Sequence, residues 1–184
     1  MNNPILAGII SALAVVVIVF SYFMKKKEAY LLFQAINMLL LAVAYLFSCE
    51  YFAMVGISVS LFRTLTFYLL ERKNRNAGLW LSFLFAALSV SAFFLVNSVI
   101  LAVWKPYDVI CLFTLICYSF IFRIRSIGLV RYLMLLPLAL SVVYNLLSAA
   151  PVLAAVSYII ELAADVLAII KNRGKNSASD AVKI

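Results

Sequence analysis

The chain has 184 residues, 67% of them hydrophobic, with a mean hydropathy of +1.15. Soluble domains are about 45–50% apolar, so a core of this size cannot bury the excess, and most of it must face lipid. The formal charge of +8 sits in short clusters between apolar runs, which excludes the continuous basic face of a nucleic-acid binder. With no histidine, and with Cys49, Cys111 and Cys117 in no CxxC or zinc-type spacing, neither a metal nor a cofactor is expected.

The first apolar run, 5–24, has no Lys or Arg before it and Lys25, Lys26 and Lys27 just after it. That order predicts a retained helix with the N-terminus outside, not a cleaved signal peptide. A bilayer core of about 30 Å needs roughly 20 apolar residues, which places further spans at 29–48, 51–70, 78–102, 107–123, 127–148 and 151–170. Only Ser48, Cys49 and Glu50 part the second span from the third, and only Ala149, Ala150 and Pro151 part the sixth from the seventh. Both pairs read as tight helical hairpins. Trp80 and Trp104 lie about 36 Å apart along the fourth helix, one at each headgroup belt. Pro106 and Pro151 fall at first helical positions, whereas Pro137 lies inside the sixth helix and predicts a kink that could serve as a hinge.

With seven spans, 13 of the 15 Lys and Arg fall on one side. They include Arg72, Lys73 and Arg75 after the third span, and Arg123, Arg125 and Arg131 around the turn before the sixth. Lys105 lies on the other side and Arg63 within a span. Six spans would put basic clusters on both faces, against the positive-inside bias. The expected fold class is therefore an all-α integral membrane protein of seven transmembrane helices, its C-terminus cytoplasmic. The hydropathy divides as 3+1+3: a three-helix unit at 1–76, a linker helix at 77–104, a second unit at 105–173, and a flexible tail at 174–184. Each unit has a basic turn after its first helix and then a tight turn without positive charge. Tyr45 and Ser48 are echoed by Tyr144 and Ser148. Two parallel repeats of this kind are a transporter architecture, with the substrate site at their interface near mid-membrane.

Residues 29–73 and 127–173 resemble the YgjV-type bacterial inner-membrane protein family, grouped with the SWEET, PQ-loop and Pnu-type transporters. Arg63, Thr64 and Leu65 late in the third helix carry the likeness, with Arg131 entering the sixth and Tyr144 and Asn145 closing it. Lys171, Asn172 and Arg173 at the end of the seventh agree in position. The resemblance implies a bacterial inner membrane and a two-repeat transport fold. It does not imply sugar selectivity, because no Pro-Gln pair occurs and only Pro137 stands in for several hinge prolines.

Three ionisable groups fall within spans: Arg63, Glu161 and Asp165. Each would cost roughly 2.5–3.5 kcal/mol at a helix centre, so pairing is expected. Glu161 and Asp165, at i and i+4, share a helical face. They lie about 15 and 21 Å along their helix, against about 18 Å for Arg63 along its own. The trio reads as a clamp between the third and seventh helices, as a site for substrate or protons, or as snorkelling side chains. One positive against two negatives favours a cation, a proton, or a polyhydroxy or amine-bearing ligand over a free anion. Gln34, Asn37, Ser60, Tyr45, Tyr144, Asn145, Ser157 and Tyr158 complete the candidate lining, with Pro137 as hinge. Tyr45 and Tyr144 also suit headgroup belts, and Asn145 a hairpin cap. No catalytic motif occurs, so the chain is not read as an enzyme. The function expected is a facilitator or proton-coupled carrier of a small polar metabolite. The alternatives are a non-transporting interaction or regulatory membrane protein and an ion channel. Membrane lipid and a small polar substrate are the expected partners, with self-association left open and nucleic acid excluded.

Overall fold

The computed structural model describes residues 4–48, 51–95, 98, 107–147 and 152–181. Among the described residues seven α-helices follow in order: α1 (Pro4–Tyr22), α2 (Lys27–Ser48), α3 (Tyr51–Arg72), α4 (Leu79–Leu95), α5 (Asp108–Ile121), α6 (Ile127–Leu147) and α7 (Val152–Ala181). Among the described residues there is no strand. In hydrocarbon a helix is the one open segment that satisfies its own backbone polar groups. Of the seven, α1, α2, α3 and α6 are long and apolar enough to cross a membrane, while α4 and α5 are apolar but shorter over the described residues. The tight turns at 49–50 and 148–151, Trp104, Lys105 and Pro106 lie outside the described residues.

The expected boundaries agree with the helix starts to within a few residues. Helix α7 runs on to Ala181. Gly174 costs a helix only about 1 kcal/mol relative to Ala, and no proline follows to stop it. The end of α3 is built differently, by hydrogen bonds from Asn74 N to Glu71 O at 2.9 Å and from Arg75 N to Leu70 O at 2.9 Å, with Asn74 at φ 51°. These two bonds close a helix around a left-handed residue, a role Asn fills when Gly does not.

Each helix packs on the next, and α7 returns to α1, so the main contacts close a ring in which α4 lies between α3 and α5. The polarity of the bundle is inverted relative to a soluble protein. Ile5, Ile9, Leu13, Val16 and Phe20 form an exposed apolar stripe on α1, while Ser21, Gln34, Ser60, Thr64, Ser119 and Ser141 are buried. An apolar outside over a polar inside fits a lipid solvent. The tightest core gathers beside the basic turns, where Tyr22, Tyr30, Phe67, Phe122, Met134 and Leu138 pack together. Lys27 at the start of α2 and Glu71 at the end of α3 form an ion pair there, at 2.9 Å.

Candidate functional site

Beside this core, polar side chains from six helices converge. Tyr22 is the last residue of α1, and its hydroxyl donates to Glu161 Oε1 on α7 at 2.6 Å. Tyr30, one turn into α2, meets the Tyr22 ring edge-on at 5.8 Å and the Phe122 ring at 6.4 Å. Gln34, one turn further, donates Nε2 to the Tyr30 hydroxyl at 3.2 Å and lies 3.5 Å from Ser21 Oγ. Asp165 follows Glu161 by one turn of α7. It is fully buried, and neither carboxylate oxygen has a hydrogen-bond partner in the protein. The cation that faces Asp165 electrostatically is Arg131 of α6, whose Nη2 donates to the Met24 carbonyl in the α1–α2 turn at 2.5 Å.

Arg63 of α3 is also fully buried. Its Nη1 donates to the Leu115 carbonyl at 3.0 Å and to Ser119 Oγ at 3.3 Å, both on α5. Its guanidinium carbon stands 5.6 Å from the Tyr118 ring centroid and 5.5 Å from that of Phe122. Nε and Nη2 have no hydrogen-bond partner in the protein.

Two expectations are corrected. Arg63 forms no ion pair with Glu161 or Asp165, because equal depth along two helices says nothing about direction around the bundle. The main neighbours of α3 are α2 and α4, and those of α7 are α6 and α1. Arg131, counted above among the charges around a turn, is 2% exposed. Four residues of rise, about 6 Å, carry it from the start of α6 into the bundle. The cluster therefore holds two buried arginines against the buried Asp165 and the half-buried Glu161, and the argument for a net negative site falls away.

The remaining candidates are spread more widely. Asn37 and Ser60 are buried, and the Ser60 carbonyl accepts from Thr64 Oγ1 at 2.8 Å. Tyr158, on α7, interacts electrostatically with Tyr118, Tyr45 and Glu161. Tyr144 meets Tyr107, the residue before α5, with ring centroids 6.0 Å apart, at the end of the bundle away from the basic turns. Ser157 is half-buried on α7, and the side chain of Asn145 lies outside what is described. Helix α6 continues through Pro137, whose carbonyl accepts from Ser141 Oγ at 2.8 Å. Tyr22, Tyr30, Tyr118 and Ser119 were missed as candidates. The available signal was their position: each falls within about one turn of a basic turn, where a tyrosine reads as a belt residue unless its neighbours are known.

Buried charged groups lacking a full set of partners are costly in hydrocarbon, and they mark binding sites or charge pathways more often than packing. Among the described residues no group of Cys, Asp and Glu has metal-holding geometry.

In comparisons with known proteins, residues 5–174 match the model of a family described as bacterial inner membrane protein, Imp-YgjV. No curated protein and no solved structure matches the chain.

Proposed function

Because the chain belongs to the YgjV family of bacterial inner-membrane proteins, we propose that it carries a small polar metabolite across that membrane between two parallel three-helix units. The observation that carries this reading is the cluster of two buried arginines, the buried Asp165, the half-buried Glu161 and their tyrosines in a bundle whose outer face is apolar. A protein serving only as a scaffold has no need of charge at that depth.

The burial pattern supports a repeat. Positions buried in the first unit recur about 100 residues later, as parallel duplicated units require. Ala14 and Thr114 form one such pair, as do Tyr22 and Phe122, and Gln34 and Met134. In the third helix of each unit the register is one residue longer, so that Arg63 and Thr64 answer to Ala164 and Asp165, and Phe67 to Ala168. On this reading α1–α3 and α5–α7 are the units, α4 the linker, all seven helices span, the N-terminus is outside and the C-terminus cytoplasmic.

The two units are held together at the basic end. Arg123 Nε donates to the Ala77 carbonyl and Arg125 Nη2 to the Asn74 carbonyl, each at 3.1 Å. Arg131 reaches Met24, and Lys171 Nζ lies 5.6 Å from the Phe23 ring centroid. These bonds close the cytoplasmic entrance, and opening it exchanges them for water. Alternating access then predicts that Ser119→Cys, in a cysteine-free background, is labelled by an impermeant thiol reagent added to either face of proteoliposomes. A disulfide between cysteines at 77 and 123 should abolish labelling from the cytoplasmic face only. Labelling from neither face would favour a non-transporting membrane protein, and simultaneous access from both would favour a channel.

A further inference from the structure

The stretches from Glu71 to Gly78 and from Phe122 to Ser126 hold five cations, Arg72, Lys73, Arg75, Arg123 and Arg125, and one acid, Glu71. Glu71 is already paired with Lys27 at 2.9 Å. The fold brings the two stretches together. Arg125 Nη2 donates to the carbonyl of Asn74, the neighbour of Arg75, and Arg123 Nε donates to the carbonyl of Ala77. Both acceptors are neutral, so these bonds fix the guanidinium groups without cancelling their charge. All five cations are exposed, and among the described residues none of them has an acidic partner. Arg125 also stands close enough to Lys27 to act on it as a like charge. Like charges drawn together repel, so closing this end of the bundle leaves a place for an anion.

Directly below it lies an apolar face. Arg123 is two residues past α5 and Ala77 two residues before α4, so their bond sits over the seam where these helices pack. Phe83 and Phe120 meet across that seam edge-to-face, with ring centroids 5.3 Å apart. Trp80 is 68% exposed and folds back over Gly78, where a Cβ would lie 2.7 Å from the indole ring. The glycine makes room for it. Leu79, Phe83 and Leu84 are exposed on the same helix. An indole at the end of an apolar helix marks the headgroup level, and this one adjoins the arginine-bearing loop.

We propose that this junction binds an anionic phospholipid of the bilayer, its phosphate among Arg75, Arg123 and Arg125 and its acyl chains along the α4–α5 face below Trp80. Guanidinium groups meet phosphate oxygens in a flat fork, and Arg72 and Lys73 add to the positive field. A soluble anion uses the charges but not the apolar face beneath them. A zwitterionic lipid uses the face but not the net charge. The bound phosphate offsets the repulsion that closure creates, so the lipid steadies the contact between the two loops. The site goes beyond the transport reading and stands or falls without it, because it is measured on the purified chain at rest.

The experiment is a thermal-shift titration of the delipidated full chain in a nonionic detergent. The probes are short-chain phosphatidylglycerol, phosphatidylcholine of the same chain length, and inorganic phosphate. Phosphatidylglycerol should raise the midpoint saturably, at a concentration about tenfold lower than phosphatidylcholine, and less in high salt. Inorganic phosphate at matched concentration should leave the midpoint unchanged. Lys73→Gln with Arg75→Gln keeps both backbone bonds of the loops and should weaken phosphatidylglycerol about tenfold, while the midpoint without lipid stays level or rises. Lys171→Gln with Lys175→Gln removes the same charge from the end of α7 and should leave the response intact. Circular dichroism and a monodisperse elution profile confirm that each variant folds. Equal stabilisation by phosphatidylcholine or by inorganic phosphate would overturn the proposal. So would an undiminished response without Lys73 and Arg75, or an equal loss without Lys171 and Lys175.

Discussion

Glu161 accepts a short bond from Tyr22 across the α1–α7 contact, and the donor is fully buried. Phenylalanine at position 22 fits the same space but removes the donor. A half-buried charged acceptor that loses its partner costs about 1 kcal/mol or more, so Tyr22→Phe should lower the thermal midpoint in detergent. Glu161→Gln in the same chain should return part of that loss, because groups in one hydrogen bond do not contribute additively. Equal midpoints for wild type and Tyr22→Phe would show that the bond carries no stability. The sequence made Arg63, Glu161 and Asp165 legible as charges within apolar runs. It did not show that Arg63 turns to a backbone carbonyl of α5, because only the assembled bundle brings Leu115 within 3.0 Å of it.

At the scale of elements, the end of α3 is set by one backbone conformation. Asn74 takes φ 51° so that Arg75 N can reach Leu70 O, and this turn offers Asn74 O to Arg125 and Ala77 O to Arg123. A side chain without the local hydrogen bonding of Asn pays about 1–2 kcal/mol in the left-handed region, and glycine pays nothing for its side chain. Asn74→Ala should therefore lower the thermal midpoint, and Asn74→Gly should leave it close to wild type. If Ala and Gly behave alike, the turn does not hold the end of the helix. The helices themselves were plain from the spacing of apolar runs and charged breaks. The latch between the 73–78 and 122–126 loops was not, since it joins backbone carbonyls to arginines about 50 positions away and leaves no pattern in either segment.

For the whole molecule, α7 has 30 residues, about 45 Å of helix against a hydrocarbon core of about 30 Å. With α7 spanning as proposed, its basic end, from Lys171, stands clear of the membrane. On the proposed topology that end is cytoplasmic. Ala178→Cys in a cysteine-free background should resist an impermeant thiol reagent in intact cells and react once the membrane is permeabilised. Reaction in intact cells would place the C-terminus outside and remove the odd number of spans on which parallel units depend.

Composition and the order of charges were enough to establish a helical membrane protein and to place most helix boundaries, because lipid imposes its length and polarity on each segment separately. The family likeness was legible too, from Arg63, Arg131 and the basic end of the seventh helix. What the sequence could not decide was direction around the bundle. Arg131 reads as a turn residue along the chain and becomes a buried charge only when α6 is set against α7 and the α1–α2 turn. Tyr22 and Tyr30 read as interfacial aromatics and become the support of a carboxylate and an amide only when α1, α2 and α7 meet. One-dimensional periodicity reports the depth of a side chain and which side of its own helix it occupies. Its partner is decided by which helices are neighbours, and that is a property of the packed bundle alone.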